Sequence, residues 1–175
     1  MAAEISRDEL VEMMRAATES VFSMMLGIPV EAAAAYEEGP VSEELDGVIS
    51  LVTLGGPMVG AGRISCSAKL ACEIASALMM SSYDGVNDEV LDAMGELGNM
   101  IVGNVKTTVE DKVGAMVLGI PTVVYGRNYR ARSGGSHAWT VLPFTCNEQK
   151  LEIRSFLVPA RESSPVADML AHANK

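Results

Sequence analysis

The tetrapeptide Leu26-Gly27-Ile28-Pro29 returns, ninety-two residues on by subtraction, as Leu118-Gly119-Ile120-Pro121. At the same offset the extended run 48–54 falls on 140–146, and the run 59–64 falls on 151–156. One short match would constrain little, but strand-like segments falling on strand-like segments point to an internal duplication. The chain reads as two α-β-β-β halves, with an extra helix over 67–80 inserted between them. Two such halves bury their apolar faces by joining their strands into one mostly antiparallel sheet with helices packed on it, an α+β arrangement.

Local signals place the elements. Ser6 and Glu9 form a capping box for a first helix whose apolar positions run Leu10, Met13, Met14, Ala17, Val21, Met24 and Met25. Gly27 and Pro29 stop it. An extended segment is expected near 30–36, and strands over 47–54 and 57–66 flank the turn Gly55-Gly56-Pro57. Ser67 caps the inserted helix, and Asn87 caps a long one that runs to about Val113. Strand-like runs follow at 122–125, 137–144 and 151–158. Residues 1–158 make one domain, within the size that buries a full core. The tail 159–175 holds Ser164-Pro165, a cap followed by proline at the first helical position, and either docks as a short terminal helix or frays.

Charge and composition remove several function classes. A net charge of −10 opposes nucleic acid and anionic membrane surfaces, both of which need a basic footprint. No apolar run reaches the roughly 18 residues of a membrane span. The acidic N-terminus (Glu4, Asp8, Glu9, Glu12) is unlike a signal peptide, so the chain reads as cytoplasmic. Cys66, Cys72 and Cys146 are odd in number and lack zinc-site spacing, and His137 and His172 are the only histidines. The thiols read as reduced, small core hydrophobes. The twelve methionines read as plastic core filler.

The long helix carries the chemistry. Gly95-Glu96-Leu97-Gly98-Asn99-Met100-Ile101-Val102-Gly103-Asn104 places three glycines in a helical run, at a cost of about 1 kcal/mol each against alanine. At about 100° per residue, Val90, Met94, Leu97, Ile101, Val105 and Thr108 form a stripe toward the sheet. Glu96 and Asn99 fall opposite it, roughly 60° apart, with Gly103 between them in angle. Asp92, Lys106 and Glu110 extend the polar face. Asn104, near the edge of the stripe, reads as a structural hydrogen-bonder. A solvated face would carry an acid and an amide but has no use for the glycines. These suit a face kept bare for another surface, with Gly95 and Gly103 clearing room beside Asp92, Glu96, Asn99 and Lys106. Close helix packing across a dimer would use them as well.

The run Glu96-Leu97-Gly98-Asn99, with Asp92 before it and Pro121 after it, resembles the signature of the CheC/CheX superfamily of chemotaxis phosphatases. The run Gly95–Asn99 with Gly103, the following Pro121-Thr122-Val123-Val124-Tyr125-Gly126-Arg127, and the single acid–amide pair are most similar to CheX. The likeness extends from the first helix to about Val158; an Ala-rich stretch at 32–35 and a Gly-rich insertion at 133–136 depart from it. The resemblance implies a homodimeric phosphatase acting on the phospho-aspartate of a CheY-like receiver domain. It implies that Asn99 orients the attacking water and that Glu96 pairs with the receiver's active-site lysine. It also implies that the receiver supplies Mg²⁺, so this chain needs neither cofactor nor metal. Two other readings stand beside it. One is a receiver-binding or flagellar-type adaptor without catalysis, and the other is a structural dimer with Glu96 and Asn99 buried between subunits.

Overall fold

A computed structural model describes residues 4–39, 42–132 and 136–160, with only the backbone of Ser42 and Glu43. The helix α1, Arg7–Val21, is capped by the reciprocal Ser6–Glu9 box and ends in a single π-turn, Phe22–Leu26, closed by left-handed Gly27. Strands β1 (Val30–Ala32), β2 (Tyr36–Glu38), β3 (Ser42–Gly55) and β4 (Met58–Cys66) follow, then α2 (Ala68–Met79) and α3 (Asp88–Val113). Strands β5 (Val117–Leu118), β6 (Thr122–Arg132), β7 (Trp139–Cys146) and β8 (Gln149–Pro159) complete the fold. Ser67 Oγ accepts from Leu70 N–H at 3.1 Å and Asn87 Oδ1 from Val90 N–H at 3.0 Å, so both expected caps are in place.

Several boundaries differ from the sequence reading. The long helix ends at Val113 as expected, stopped by Gly114 (φ 96°), and a short strand the sequence did not announce, β5, follows it. The expected segment at 30–36 is two short strands. β6 is far longer than 122–125, and β3 begins well before residue 47. The terminal helix expected around Pro165 lies outside the described residues.

All pairings are antiparallel, in the order β1-β7-β8-β4-β3-β5, with β2 also on β7 and β6 also on β3. The halves are interlocked. The strands that follow α1 pair with β7 of the second half, whereas those that follow α3 pair with β3 of the first. The repeat offset places strand on strand, but it misplaces the faces of the last pair. It sets Ile64 on half-buried Phe156, whereas the sheet sets Ile64 opposite Ile153, both in the core. The cause is the turn. β7 and β8 are joined by Asn147-Glu148, both left-handed (φ 48° and 61°), a tighter link than the glycine–proline turn of the first hairpin. An odd change in turn length turns every side chain of the following strand over.

Helices α1, α2 and α3 lie on one face, where Val90, Met94, Leu97, Ile101 and Val105 meet Leu10, Met14, Val52, Ile74 and Phe144 in one core. Thr108, expected on that stripe, is exposed and donates to Asn104 O; Val109 takes the buried position instead. The other face holds a short ionic cluster, in which Arg154 bonds Glu152 at 2.5 Å and also pairs with Glu38.

Glu9 ties α1 to the far end of α3 by pairing with Lys112. The Lys112 ammonium, with the N–H and hydroxyl of Ser6, holds the Glu9 carboxyl at about 2 against an ordinary 4.5. A carboxyl depressed by folding stabilises above its unfolded value and loses that contribution as pH falls toward its folded value. Glu9→Gln should therefore flatten the loss of stability between about pH 4.5 and 2. Urea midpoints measured across that range check this, and a slope equal to wild type would contradict it.

Candidate functional site

The glycines of α3 look inward. A methyl group on Gly98 would sit 2.3 Å from Ser50 Oγ and 3.3 Å from Val52 Cγ2; one on Gly95 would meet Val123 and Pro121 at 3.4 and 3.6 Å. From the strand side, a methyl on Gly62 would lie 2.5 Å from Val102 Cγ2. Helix and sheet approach until backbone meets side chain. The sequence reading had these glycines keep an external face bare. Gly95 and Gly98 are instead buried in the helix–sheet seam, so Gly95 is not open to a partner. Only Gly103, half-buried with Leu118 Cδ2 at an ordinary 3.7 Å, borders the polar face.

That polar face is as the helical angles require. Glu96 and Asp92 are exposed and Asn99 is half-buried. Among the described residues, neither the Glu96 nor the Asn99 side chain makes a hydrogen bond or ion pair. At i and i+3 their Cβ atoms stand roughly 5–6 Å apart. Asn104 is exposed rather than bonded at the stripe edge. Lys106, expected to face a partner, is engaged internally. Its ammonium bonds Glu110 Oε1 at 2.6 Å and reaches Met116 O at 3.4 Å, while the same Glu110 oxygen accepts from Met116 N–H at 2.8 Å. Lys106 first, then the Met116 N–H, holds the Glu110 carboxyl below its ordinary value. This clamp ties the segment after α3 back onto the helix.

The segment then runs beside the site. Leu118 lies against Gly103 and Pro121 against Gly95, so residues 118–121 pass antiparallel to the helix along the flank that carries Asn99. Gly119 N–H bonds Thr53 O at 2.8 Å, and a Cβ there would lie 2.1 Å from Thr53 Oγ1, so any side chain would have to displace that hydroxyl. Sequence reasoning missed the Glu110 clamp and β5. Pro121 in the motif signature and the repeated Leu-Gly-Ile-Pro were the signals for the flank, and neither gave its contacts with Gly95 and Gly103.

The three cysteines are buried as free thiols, and burial pushes Cys66 up to about 12. His137 stacks on Phe156 with centroids 5.6 Å apart. Among the described residues, no group of three His, Cys, Asp or Glu side chains could hold a metal ion, and no helix is long and apolar enough to cross a membrane.

An interlocked antiparallel sheet carrying one long helix, with an unpartnered acid and amide on its outer face, defines a recognisable class. The sequence profile of the family described as chemotaxis phosphatase CheX matches residues 48–145, and the chain belongs to that family. The CheY-P phosphatase CheX of Thermotoga maritima is 30% identical over 89 residues, half of this chain and 57% of that protein. The chain thus spans little more than half the length of this relative. The crystal structure of a CheX from Desulfovibrio desulfuricans superposes with a TM-score of 0.77 over 86% of this chain and 99% of that one, at 20% identity. The CheX of a CheX–CheY–BeF3–Mg²⁺ complex from Borrelia burgdorferi gives 0.74 over 88% and 99%, at 25% identity.

The seam makes the glycines separable. Gly98→Ala should lose about 1–2 kcal/mol, because a Cβ 2.3 Å from Ser50 Oγ puts overpacking in the upper part of its usual range of about 1–3 kcal/mol, against roughly 1 kcal/mol of helix propensity gained. Ser50→Ala in the same chain should restore part of it. Gly103→Ala should be neutral or stabilising by up to about 1 kcal/mol. Urea denaturation checks all three; a Gly98→Ala protein as stable as wild type would contradict the seam.

Proposed function

We propose that this protein accelerates hydrolysis of the aspartyl phosphate on a CheY-like receiver domain. The observation that carries the reading is the pair Glu96 and Asn99, free of internal partners on one face of a helix pinned to its sheet. The family and the relatives above support it.

An aspartyl phosphate is a high-energy acyl phosphate, and a receiver already neutralises it with Mg²⁺ and a lysine. What remains for a partner is to position water, a largely entropic contribution with little covalent work. Asn99 suits that role. Its amide can accept a hydrogen bond through Oδ1 and donate one through Nδ2, and it brings no negative charge beside the phosphoryl oxygens. Glu96 cannot do this, since a carboxylate against a phosphoryl group is repelled. It fits the receiver's lysine ammonium in a charge-assisted hydrogen bond that fixes where Asn99 lands. Asp92, exposed one turn earlier, adds to the acidic edge that meets this cation. The only metal in the scheme is the receiver's Mg²⁺, and this chain brings no cofactor.

The reading includes a homodimer. β6 is an eleven-residue strand that pairs only with β3 among the described residues and exposes Val124 and Tyr125. A long, partly apolar free edge invites pairing with a second copy. Sedimentation should show twice the mass of the chain; a monomer at micromolar concentration would contradict it.

With a phosphorylated CheY-like receiver in excess, wild type should shorten the phosphate lifetime catalytically, and Asn99→Ala should return it to that of the receiver alone. Glu96→Ala should lose activity chiefly through a raised KM. Stable binding with an unchanged lifetime in wild type would convert the reading to a non-catalytic adaptor.

A further inference from the structure

The copies of Leu-Gly-Ile-Pro share a sequence and part company in environment. In the first, Ile28 packs against the core beneath the end of α1; in the second, Ile120 is 91% exposed. The acid–amide pair exists only beside the second. Ile120 is displayed on an ordered backbone. Pro121 follows it against Gly95, Gly119 before it is held to Thr53, and the Lys106–Glu110–Met116 clamp anchors the chain just upstream. Residues 118–121 cover the flank from Gly103 back to Gly95, a helix rise of about 12 Å. Ile120 therefore stands alongside Asn99, and Val117, 68% exposed, extends the apolar edge.

We propose that Ile120 is an apolar docking anchor for the same receiver that Glu96 and Asn99 engage, seated on apolar surface next to the acyl-phosphate pocket. The inference rests on the phosphatase reading and goes beyond it, since it gives the interface a part that recognises shape rather than charge. The polar pair alone offers a weak hold: one exposed ion pair contributes little and is screened by salt. A fixed apolar residue buried on docking adds affinity at small entropic cost, because its backbone is already ordered. It would also discriminate among receivers that share the phosphorylation chemistry but differ in surface shape.

The test compares wild type, Ile120→Ala, Ile120→Asp and Ile120→Val on a phosphorylated CheY-like receiver, with thermal melting and sedimentation as controls. Ile120→Ala should raise KM about tenfold or more with kcat near wild type. Ile120→Asp should raise it further, Ile120→Val should recover most of the loss, and the folding transition should not move. If wild type acts and Ile120→Ala keeps its KM, the anchor is refuted while the phosphatase reading stands. If Ile120→Asp instead changes the oligomeric state, the residue serves self-association and the proposal fails. If wild type itself leaves the phosphate untouched, the parent reading falls and this one with it.

Discussion

The close approach of α3 to the sheet at Gly98 is the constraint on which the rest depends. With no side chain there, the helix backbone rests on Ser50 and Val52, and Val102 fills the space above Gly62. This sets the height of the helix and, through its rotation, which residues face out. The apolar stripe from Val90 to Val105 is buried against α1, α2 and the sheet, so Glu96 and Asn99 have one direction left. Lost helix propensity is thus offset by packing, and the packing aims the polar pair.

The surroundings keep that direction fixed. α1 is tied to the far end of α3 through Glu9 and Lys112, and the chain leaving α3 is tied back by Glu110. Residues 118–121 line the flank of the polar face, with Leu118 beside Gly103 and Pro121 beside Gly95. A site that contributes orientation rather than covalent chemistry gains from such rigidity, because a positioned water is worth only as much as its positioning. The overall charge of −10 agrees with a partner met through a cation near its phosphate.

Much of this was legible beforehand. Ser6, Ser67 and Asn87 declared helix starts because their short side chains satisfy first-turn N–H groups wherever they stand. Glu96 and Asn99 declared a shared face because helical periodicity is local. What stayed hidden was non-local. The inward role of Gly95 and Gly98 depends on β3 and β6, which are distant in sequence. The faces of β8 depend on a two-residue turn at Asn147-Glu148 that an offset fitted on β7 cannot see. Thr108 continued the stripe in angle, but Val109 has the buried place near the helix end. Lys106 looked like part of the partner-facing surface until Met116 folded back over it.

The account turns on the amide of Asn99 rather than on its size, and Asn99→Asp isolates that property. The exchange keeps the shape, removes the donor and adds a negative charge. Decay of a phosphorylated receiver under saturating Asn99→Asp protein should run at the receiver's own rate, with the complex still formed. Decay as fast as with wild type would show that the amide does not hold the attacking water.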